Sequence, residues 1–203
     1  MKISEQDRER ISAAIHATES KTSGEIVCVL AQTSSDTTAL PILLAAVAAL
    51  AVPWLLLAFT AFSVQRIMLL QIVVFFALTA LLCLPRVRVA LLPLRLRRAA
   101  AHRAAMEQFM IRGIARKKDR SGILIFVSLS ERYARIIADQ GISARVPQSD
   151  WQAAVDALVA HMSNGRIADG FLIAINACET VLATHFPRTA SSGEELPDRI
   201  YLI

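Results

Sequence analysis

Four carboxylates stand next to the ends of predicted strands, where a sheet can gather polar side chains from distant parts of a chain. Glu25 opens one apolar segment and Asp36 follows it, whereas Asp139 closes a later segment and Asp169 precedes a glycine. Carboxylate oxygens are hard ligands for Mg²⁺ or Ca²⁺, and a bound divalent cation can polarise a phosphoryl oxygen. We therefore take Asp139, Glu25 and Asp169 as the candidate metal ligands, with Asp139 as the candidate catalytic residue.

The same carboxylates also have structural explanations, which the sequence leaves open. Glu25 can be the solvated start of a strand, and Asp139 can cap a turn before Gly141. Asp169 can lie on the solvent face of the last helix. Short acidic side chains take such capping positions because they bond to nearby backbone N–H groups.

Motifs with a well-defined catalytic mechanism are absent from the sequence. There is no Walker loop, dinucleotide fingerprint, H-E-x-x-H or C-x-x-C. Ser128 and Ser130 flank a strand end but do not form a nucleophile elbow, so serine hydrolase chemistry has no support. The histidines each stand alone on a predicted helix, which favours surface positions over metal ligation: His16, His102, His161 and His185.

The middle of the chain is an apolar run from Leu40 to Leu84, in which Arg66 is the only charged residue. One helix over this run would be about 67 Å long, whereas the hydrocarbon core of a bilayer is about 30 Å thick. A turn at residues 63–66 leaves stretches 40–62 and 67–84, about 34 and 27 Å long as helices. The run is therefore predicted to be a transmembrane hairpin, and the lack of intramembrane acids or bases favours an anchor over a transporter.

Positive charge is concentrated around this hairpin. Residues 37–106 contain seven arginines and no acidic residue, and the net charge of the whole chain is +5, so the remainder carries −2. That remainder offers no basic surface for nucleic acid. Six of the arginines follow the second span, and only Arg66 lies between the spans. The positive-inside rule then places both termini in the cytoplasm, with a two-pass topology.

The flanking segments are predicted to form one α/β domain that the hairpin interrupts. Residues 1–36 supply its first part, residues 37–98 form the hairpin and a basic juxtamembrane segment, and residues 99–203 supply the remainder with an irregular tail. The pattern of apolar residues predicts helices over 4–20 and 94–116 and from about 149 and 166, with strands at 25–32, 123–129 and 133–139. A fourth strand near the C-terminus stays open. The fold class is a three-layer α/β/α sandwich with a small mixed sheet.

Inner faces can be read from helical spacing, and the cysteines from their isolation. The helix over 94–116 should turn Ala101, Ala105, Phe109 and Ile111 inward. The three cysteines have no paired spacing and are expected to be reduced.

The stretch "GIARKKDRSGILIFVSLSERYARIIADQGI", followed by a helix with a tryptophan and by "GRIADGFLIAI", resembles the TPM domain. That family is named after a thylakoid lumen protein, a photosystem II repair protein and a nematode receptor modulator. The matching features are Gly113, Gly122, a short hairpin, Asp139 with Gly141, and Asp169 with the glycine after it. "SGEIVCVLAQ" is similar to the first core strand of the family, and a bacterial subgroup with an inserted membrane hairpin is more similar still.

The resemblance implies a small α/β/α sandwich, often tethered to a membrane, with acid phosphatase activity ascribed to plant members. It also implies divalent-metal binding by acidic residues, which carries over to Asp139 and, less directly, to Glu25 and Asp169. Two functions follow as expectations. The first is a non-enzymatic assembly or quality-control module beside membrane complexes, with the bilayer and other membrane proteins as partners. The alternative is a divalent-metal-dependent acid phosphatase that uses Ca²⁺ or Mg²⁺.

Overall fold

The computed structural model describes residues 3–34, 39–84, 87, 93–114, 120–188 and 197–203, and the chain divides into two compact units, residues 1–34 with 99–203 and residues 35–98. The helices are α1 (Glu5–Glu19), α2 (Ala39–Phe59), α3 (Val64–Leu82), α4 (Leu94–Ile111), α5 (Gln140–Ser143), α6 (Gln152–Ser163) and α7 (Ile167–His185). The strands are β1 (Glu25–Ala31), β2 (Gly122–Ser128), β3 (Tyr133–Ala138) and β4 (Ile200–Leu202).

The first unit is built on a four-stranded mixed sheet with the order β3-β2-β1-β4. β1 pairs in parallel with β2 and β4, and β3 returns antiparallel to β2 through the predicted hairpin. Every residue of β1 and β2 is buried, as expected for central strands covered on both faces. The predicted α/β/α sandwich with a small mixed sheet is confirmed, and the short C-terminal strand is part of it.

Alternation along β1 and β2 divides the core into two layers. Ile26, Cys28 and Leu30 face the layer that contains α1, α6 and α7, whereas Val27 and Val29 face α4. The large apolar surfaces of α6 and α7 fill the first layer, where Trp151 and Phe171 are fully buried. A single helix, α4, covers the opposite face. The ends of β1 and β2 lie at the edges of these layers, where polar side chains can be accommodated.

The first helix begins where its capping pattern predicts. Ser4 precedes α1, and its Oγ accepts a hydrogen bond of 3.1 Å from the backbone N–H of Asp7. This bond satisfies one of the amide groups that the first turn leaves unpaired. α1 then packs Ile11 and Ile15 into the core.

α4 confirms three of its four predicted inner residues. Ala101, Ala105 and Phe109 are buried, but Ile111 is 63% exposed. Two residues turn a helix by about 200°, so Ile111 points away from the face that Phe109 occupies. The helix also ends at Ile111 rather than near residue 116, and Gly113 follows with a φ of 74°, a backbone conformation suited to glycine.

The second unit is the helical hairpin. α2 and α3 pack against each other through buried Ala45, Ala49 and Ile67. The turn occupies residues 60–63, earlier than predicted, because Ser63 already takes the position before the first turn of α3. Arg66 therefore lies inside the first turn of α3 instead of at the tip of the turn.

Three described helices are long and apolar enough to cross a membrane: α2, α3 and α7. Only 11% and 6% of the most apolar windows of α2 and α3 are buried, compared with 44% for α7. α7 turns Phe171, Ile175 and Cys178 into the core of the first unit. Its apolar character is therefore accounted for by packing against the sheet.

The sequence pattern did not predict the short helix α5 or the 3₁₀ turn at Gln148–Trp151. Cys28, Cys83 and Cys178 are free thiols, as predicted. Much of the basic juxtamembrane segment and of the C-terminal tail lies outside the described residues.

Candidate functional site

Asp139 lies where β3 ends and α5 begins. Its backbone N–H donates to the Gly122 carbonyl at 2.9 Å, which extends the β2–β3 ladder by one residue. Its Oδ1 accepts from the backbone N–H of Gln140 at 2.6 Å, so the side chain caps α5. The residue is only 5% exposed, and its Oδ2 has no hydrogen-bond partner among the described residues. Oδ1 is therefore used to cap α5, whereas Oδ2 is buried and available for a further bond.

Among the described residues, Arg120 forms an ion pair with this carboxylate. Its Nη1 lies 3.8 Å from Oδ1 of Asp139. The backbone of Arg120 has a φ of 50°, a conformation that is uncommon for a residue with a side chain. Its carbonyl accepts from the N–H of Gly141 at 3.1 Å, which holds this arginine beside α5.

Glu25 lies in the same row of the sheet, two strands away. It pairs in register with Gly122, whose carbonyl in turn receives the N–H of Asp139. By alternation with Val27 and Ile137, both carboxylates belong to the α4 face. Glu25 is buried, at 3% exposure, so the alternative of a solvated strand start is wrong.

Ile114 separates the two carboxylates of this row. A Cβ on Gly122 would lie 2.3 Å from Cγ2 of Ile114, so that isoleucine sits directly over the glycine. With strands about 4.8 Å apart, the Cα atoms of Glu25 and Asp139 are about 10 Å from each other. The row brings these two predicted site residues to one edge, with an apolar side chain between them.

Asp169 is not brought to this edge. It lies in the first turn of α7, and its Oδ1 accepts from Nη2 of Arg10 on α1 at 3.0 Å. The other end of α7 reaches the Glu25 edge, where Leu182 contacts Gly24. The thirteen residues between Asp169 and Leu182 correspond to about 20 Å of helix. Asp169 thus connects two helices, in agreement with its structural explanation.

The described residues contain no group of three or more His, Cys, Asp or Glu side chains that could hold a metal ion. The three predicted ligands therefore do not form one cluster in that part of the chain. A divalent site built from all three does not fit this arrangement, although the unpaired Oδ2 of Asp139 remains a single suitable oxygen. Asp36 lies outside the described residues.

Another buried carboxylate, Glu131, lies at the opposite end of the sheet and was not predicted from the sequence. It is 4% exposed in the turn between β2 and β3. Its oxygens accept from the hydroxyls of Ser128 and Thr33 and from the backbone N–H of Ser34, the last two at 3.1 Å. The Oγ of Ser34 also donates to that of Ser128 at 2.7 Å. Glu131 thereby ties the segment that leaves β1 to the β2–β3 turn.

Like Glu131, Glu19 is a buried carboxylate that was not predicted from the sequence. Its Oε1 accepts from the backbone N–H of Ile26 at 2.7 Å, which joins the end of α1 to β1. Burial, reinforced by the neighbouring carboxyl of Asp198, raises the pKa of Glu19 to about 9. The side chain is therefore neutral at physiological pH, and it acts as a hydrogen-bonding group rather than as a charge.

Sequence signals for Glu19 and Glu131 are weak because both occur in polar stretches. "HATESKTS" and "SLSERY" look like ordinary solvated helix ends and turns. Their burial depends on contacts over long sequence distances, 97 residues in the case of Ser34 and Glu131. No local spacing predicts such a contact.

A cavity of about 310 Å³ opens beside the free edge of β3. His102 and Arg135 line it together with Gln148, whose Nε2 donates to the Ile136 carbonyl at 3.2 Å. Partial burial, followed by the charge of Arg135, lowers the pKa of His102. The imidazole is thus neutral near pH 7, and it lies 3.4 Å from the Tyr133 hydroxyl. This surface combines the outermost strand of the described sheet with polar side chains.

Known proteins are similar to this chain in fold and in part of its sequence. The solution structure of BA42 from the psychrophilic bacterium Bizionia argentinensis superposes with a TM-score of 0.62 at 19% identity, covering 100% of this chain and 96% of that one. The solution structure of the N-terminal domain of a protein from P. gingivalis gives a TM-score of 0.49 at 14% identity, covering 92% of this chain and 82% of that one. No curated protein sequence matches the chain. The likeness to BA42 shows a shared fold.

The family model for the TPM domain matches residues 86–181. This range begins in the basic segment after the hairpin and includes β2, β3, Asp139 and Asp169. It contains the stretch on which the resemblance was based, and the same fold is seen in BA42. Residues 86–181 of this chain are therefore similar to the TPM domain family.

Proposed function

We propose that this TPM-domain protein is anchored in a bacterial inner membrane by α2 and α3, and that its α/β unit acts without catalysis in the assembly or quality control of membrane complexes. Both termini would lie in the cytoplasm. The anchor is supported by length, composition and surface, and the non-enzymatic role by the use of the acidic side chains.

Exposed apolar surface on the hairpin supports membrane insertion. Trp54 and Phe59 are 79% and 83% exposed, and large exposed side chains recur along both helices. An apolar surface of this extent is unfavourable in water and favourable in hydrocarbon. α7 lacks such a surface because one face is buried in the core, so we propose two spans rather than three.

The distribution of arginines supports the orientation. Arg66, in the first turn of α3, is the one charged residue at the end of the hairpin where α2 and α3 are joined, whereas six arginines follow α3 within about twenty residues. Cytoplasmic loops carry such an excess. A C-terminal reporter that is active only in the cytoplasm tests this orientation, and activity of a periplasmic reporter at that position would refute it.

The observation that carries the non-enzymatic role is how the acidic side chains are engaged. Asp169 bonds to Arg10, Glu131 bonds to the segment leaving β1, and Asp139 caps α5. Each of these contacts joins two elements of the fold. A domain whose acidic side chains connect parts of the fold presents its remaining surface, including the β3 edge, for contacts with other proteins.

Crosslinking in membranes tests the assembly role. A charge reversal at Arg135 beside the β3 edge, Arg135→Glu, should remove specific membrane-protein partners that the wild-type chain captures. Arg8→Glu on α1 is the matched control, because it is a similar charge change far from that edge, and it should leave the captured set unchanged. An identical set for both variants and the wild type would contradict the proposal.

One observation favours the alternative, a divalent-metal-dependent acid phosphatase. Oδ2 of Asp139 is buried without a partner in the described part of the chain, and Arg120 is close to the same carboxylate. Purified protein should then release phosphate from a phosphomonoester with Mg²⁺ or Ca²⁺, and Asp139→Asn should abolish that release. No release, or release that survives the substitution, would exclude this function for Asp139.

A further inference from the structure

A groove of about 380 Å³ runs between the two helices of the hairpin unit. It is lined by Ala46, Ala49 and Leu50 of α2 and by Met68, Gln71, Ile72, Phe75 and Phe76 of α3. On the α2 wall two small alanines stand beside Leu50, and the α3 wall carries large apolar side chains with Gln71 among them. The groove therefore lets another helix approach closely on the α2 side, as small residues do at helix interfaces in membranes.

Gln71 is the strongly polar side chain of this groove. It lies seven residues into α3, about 10 Å from the start of a helix about 28 Å long, which is too deep for its amide to reach an interface. Among the described residues, its amide has no hydrogen-bond partner. In hydrocarbon, an amide without a partner is costly, because neither lipid nor water can replace the missing bonds.

The chemistry of the amide indicates what covers it. A carboxamide is both a donor and an acceptor, so two copies related by a twofold axis can satisfy each other with a reciprocal pair of bonds. The groove contains no ionisable side chain, so a charged group from a different protein would be left there without a counterion. The group that covers this amide must be neutral, must lie at the same depth, and must both donate and accept a hydrogen bond. Gln71 of a second copy meets all three conditions.

We propose that the hairpin self-associates in the bilayer as a twofold dimer, groove against groove, with the two Gln71 amides hydrogen-bonded to each other. The proposal rests on the membrane insertion proposed above. It makes the polar side chain of α3 a self-recognition element, and it brings two α/β units to the same site on the membrane.

Energy transfer between labelled chains in phosphatidylglycerol–phosphatidylethanolamine vesicles measures the dissociation constant of this dimer. Gln71→Leu removes both amide bonds and should raise that constant about tenfold to a hundredfold. Gln65→Leu is the matched control, because Gln65 is exposed in the first turn of α3, and it should leave the constant unchanged. Equal constants for the wild type and Gln71→Leu would overturn the amide contact.

Cysteine crosslinking tests the geometry in the same vesicles. In a Cys83→Ser background, Met68→Cys and Phe75→Cys in the groove should form disulfide-linked dimers, whereas Val73→Cys, which is 54% exposed outside it, should not. Equal crosslinking at all three positions would overturn groove-to-groove packing. In native membranes, crosslinks at positions 68 and 75 to a different protein would overturn the second copy as the occupant.

Alkaline carbonate extraction separates failure of the dimer from failure of the anchor. A chain that is released from membranes by carbonate contradicts the proposed anchor itself, and with it the dimer. A chain that stays in the membrane but is monomeric at all lipid ratios contradicts only the dimer. Retention with concentration-dependent energy transfer supports both.

Discussion

Each end of the central sheet holds a buried carboxylate, Glu131 at one end and Asp139 at the other, but the two accept different numbers of hydrogen bonds. At one end, Glu131 accepts bonds from two hydroxyls and a backbone N–H. At the other end, Asp139 accepts one backbone bond through Oδ1, and its Oδ2 has no partner within the described residues. Both side chains are at most 5% exposed. Burial alone therefore does not distinguish a structural carboxylate from one with unused bonding capacity.

The number of bonds that each carboxylate accepts determines how well its end of the sheet tolerates substitution. A buried acceptor that satisfies several donors fixes those donors, and its removal leaves them unpaired. A capping aspartate can be replaced by other good caps at little cost. The Glu131 end should thus be sensitive for stability and the Asp139 end tolerant, and the following substitutions test that contrast.

The largest effect is expected from Glu131→Ala. The substitution leaves the Ser34 N–H and two hydroxyls without their acceptor and opens a small cavity, so it should destabilise the protein by about 2–4 kcal/mol. Thermal unfolding of the detergent-solubilised protein measures the loss. Glu107→Ala on the exposed face of α4 is the control and should change stability by less than about 0.5 kcal/mol. Similar values for both variants would show that the Glu131 network contributes little.

Gly122→Ala probes the wall between the two carboxylates of the Asp139 end. The new methyl group would overlap Cγ2 of Ile114, and the Ile114 carbonyl is also only 3.3 Å away. Overpacking of this kind costs about 1–3 kcal/mol. The measurement is chemical denaturation of the variant, compared with the double variant Gly122→Ala with Ile114→Ala. Recovery of stability in the double variant would identify Ile114 as the clashing group, and no recovery would locate the strain elsewhere.

Glu19 provides an intermediate case between the two ends, since it is buried with one backbone donor. Its pKa is about 9 in the folded chain and 4.5 as a free side chain, so the folded state keeps a proton that the unfolded state releases. The stabilisation from this proton is complete below pH 4.5 and is lost as the pH rises to 9. Glu19→Gln should therefore be close to the wild type at pH 5 and more stable by about 2 kcal/mol at pH 6, and the difference should widen as the pH rises towards 9.

Unfolding midpoints at several pH values between 5 and 9 measure this difference. The Glu9→Gln variant on the exposed face of α1 is the control, and its stability should follow that of the wild type at every pH. A constant offset between Glu19→Gln and the wild type over the whole range would contradict the buried protonated state.

The contrast between the two ends also shows what the sequence could and could not predict. The strands, α1 with its Ser4 cap and the apolar hairpin follow from local periodicity and composition, which act over a few residues. The cap at Asp139 was foreseen as an alternative, because an aspartate before Gln-Gly has a local signature. These features need no knowledge of tertiary contacts.

Long-range contacts account for what the sequence did not predict. Glu131 and Ser34 meet only because β1 and β2 are neighbours in the sheet, although the whole hairpin lies between them in the chain. Asp169 was grouped with Asp139 from residue type, but the direction of α7 places it near Arg10 instead. Ile111 was placed inside because the end of α4 could not be located to within two residues.

The smallest effect on stability is expected from Asp139→Asn, and it is the most informative one for this end of the sheet. Asparagine retains an oxygen that can accept from the Gln140 N–H, and it is as good a cap as aspartate, so unfolding should shift by less than about 0.5 kcal/mol. Metal titration by calorimetry then has a folded control. If the wild type shows heat of binding with Ca²⁺ or Mg²⁺ and this variant does not, the unpaired Oδ2 is a metal ligand. A stability loss as large as that of Glu131→Ala would instead show that the Asp139 carboxylate is bonded as fully as Glu131, and the contrast between the two ends would disappear.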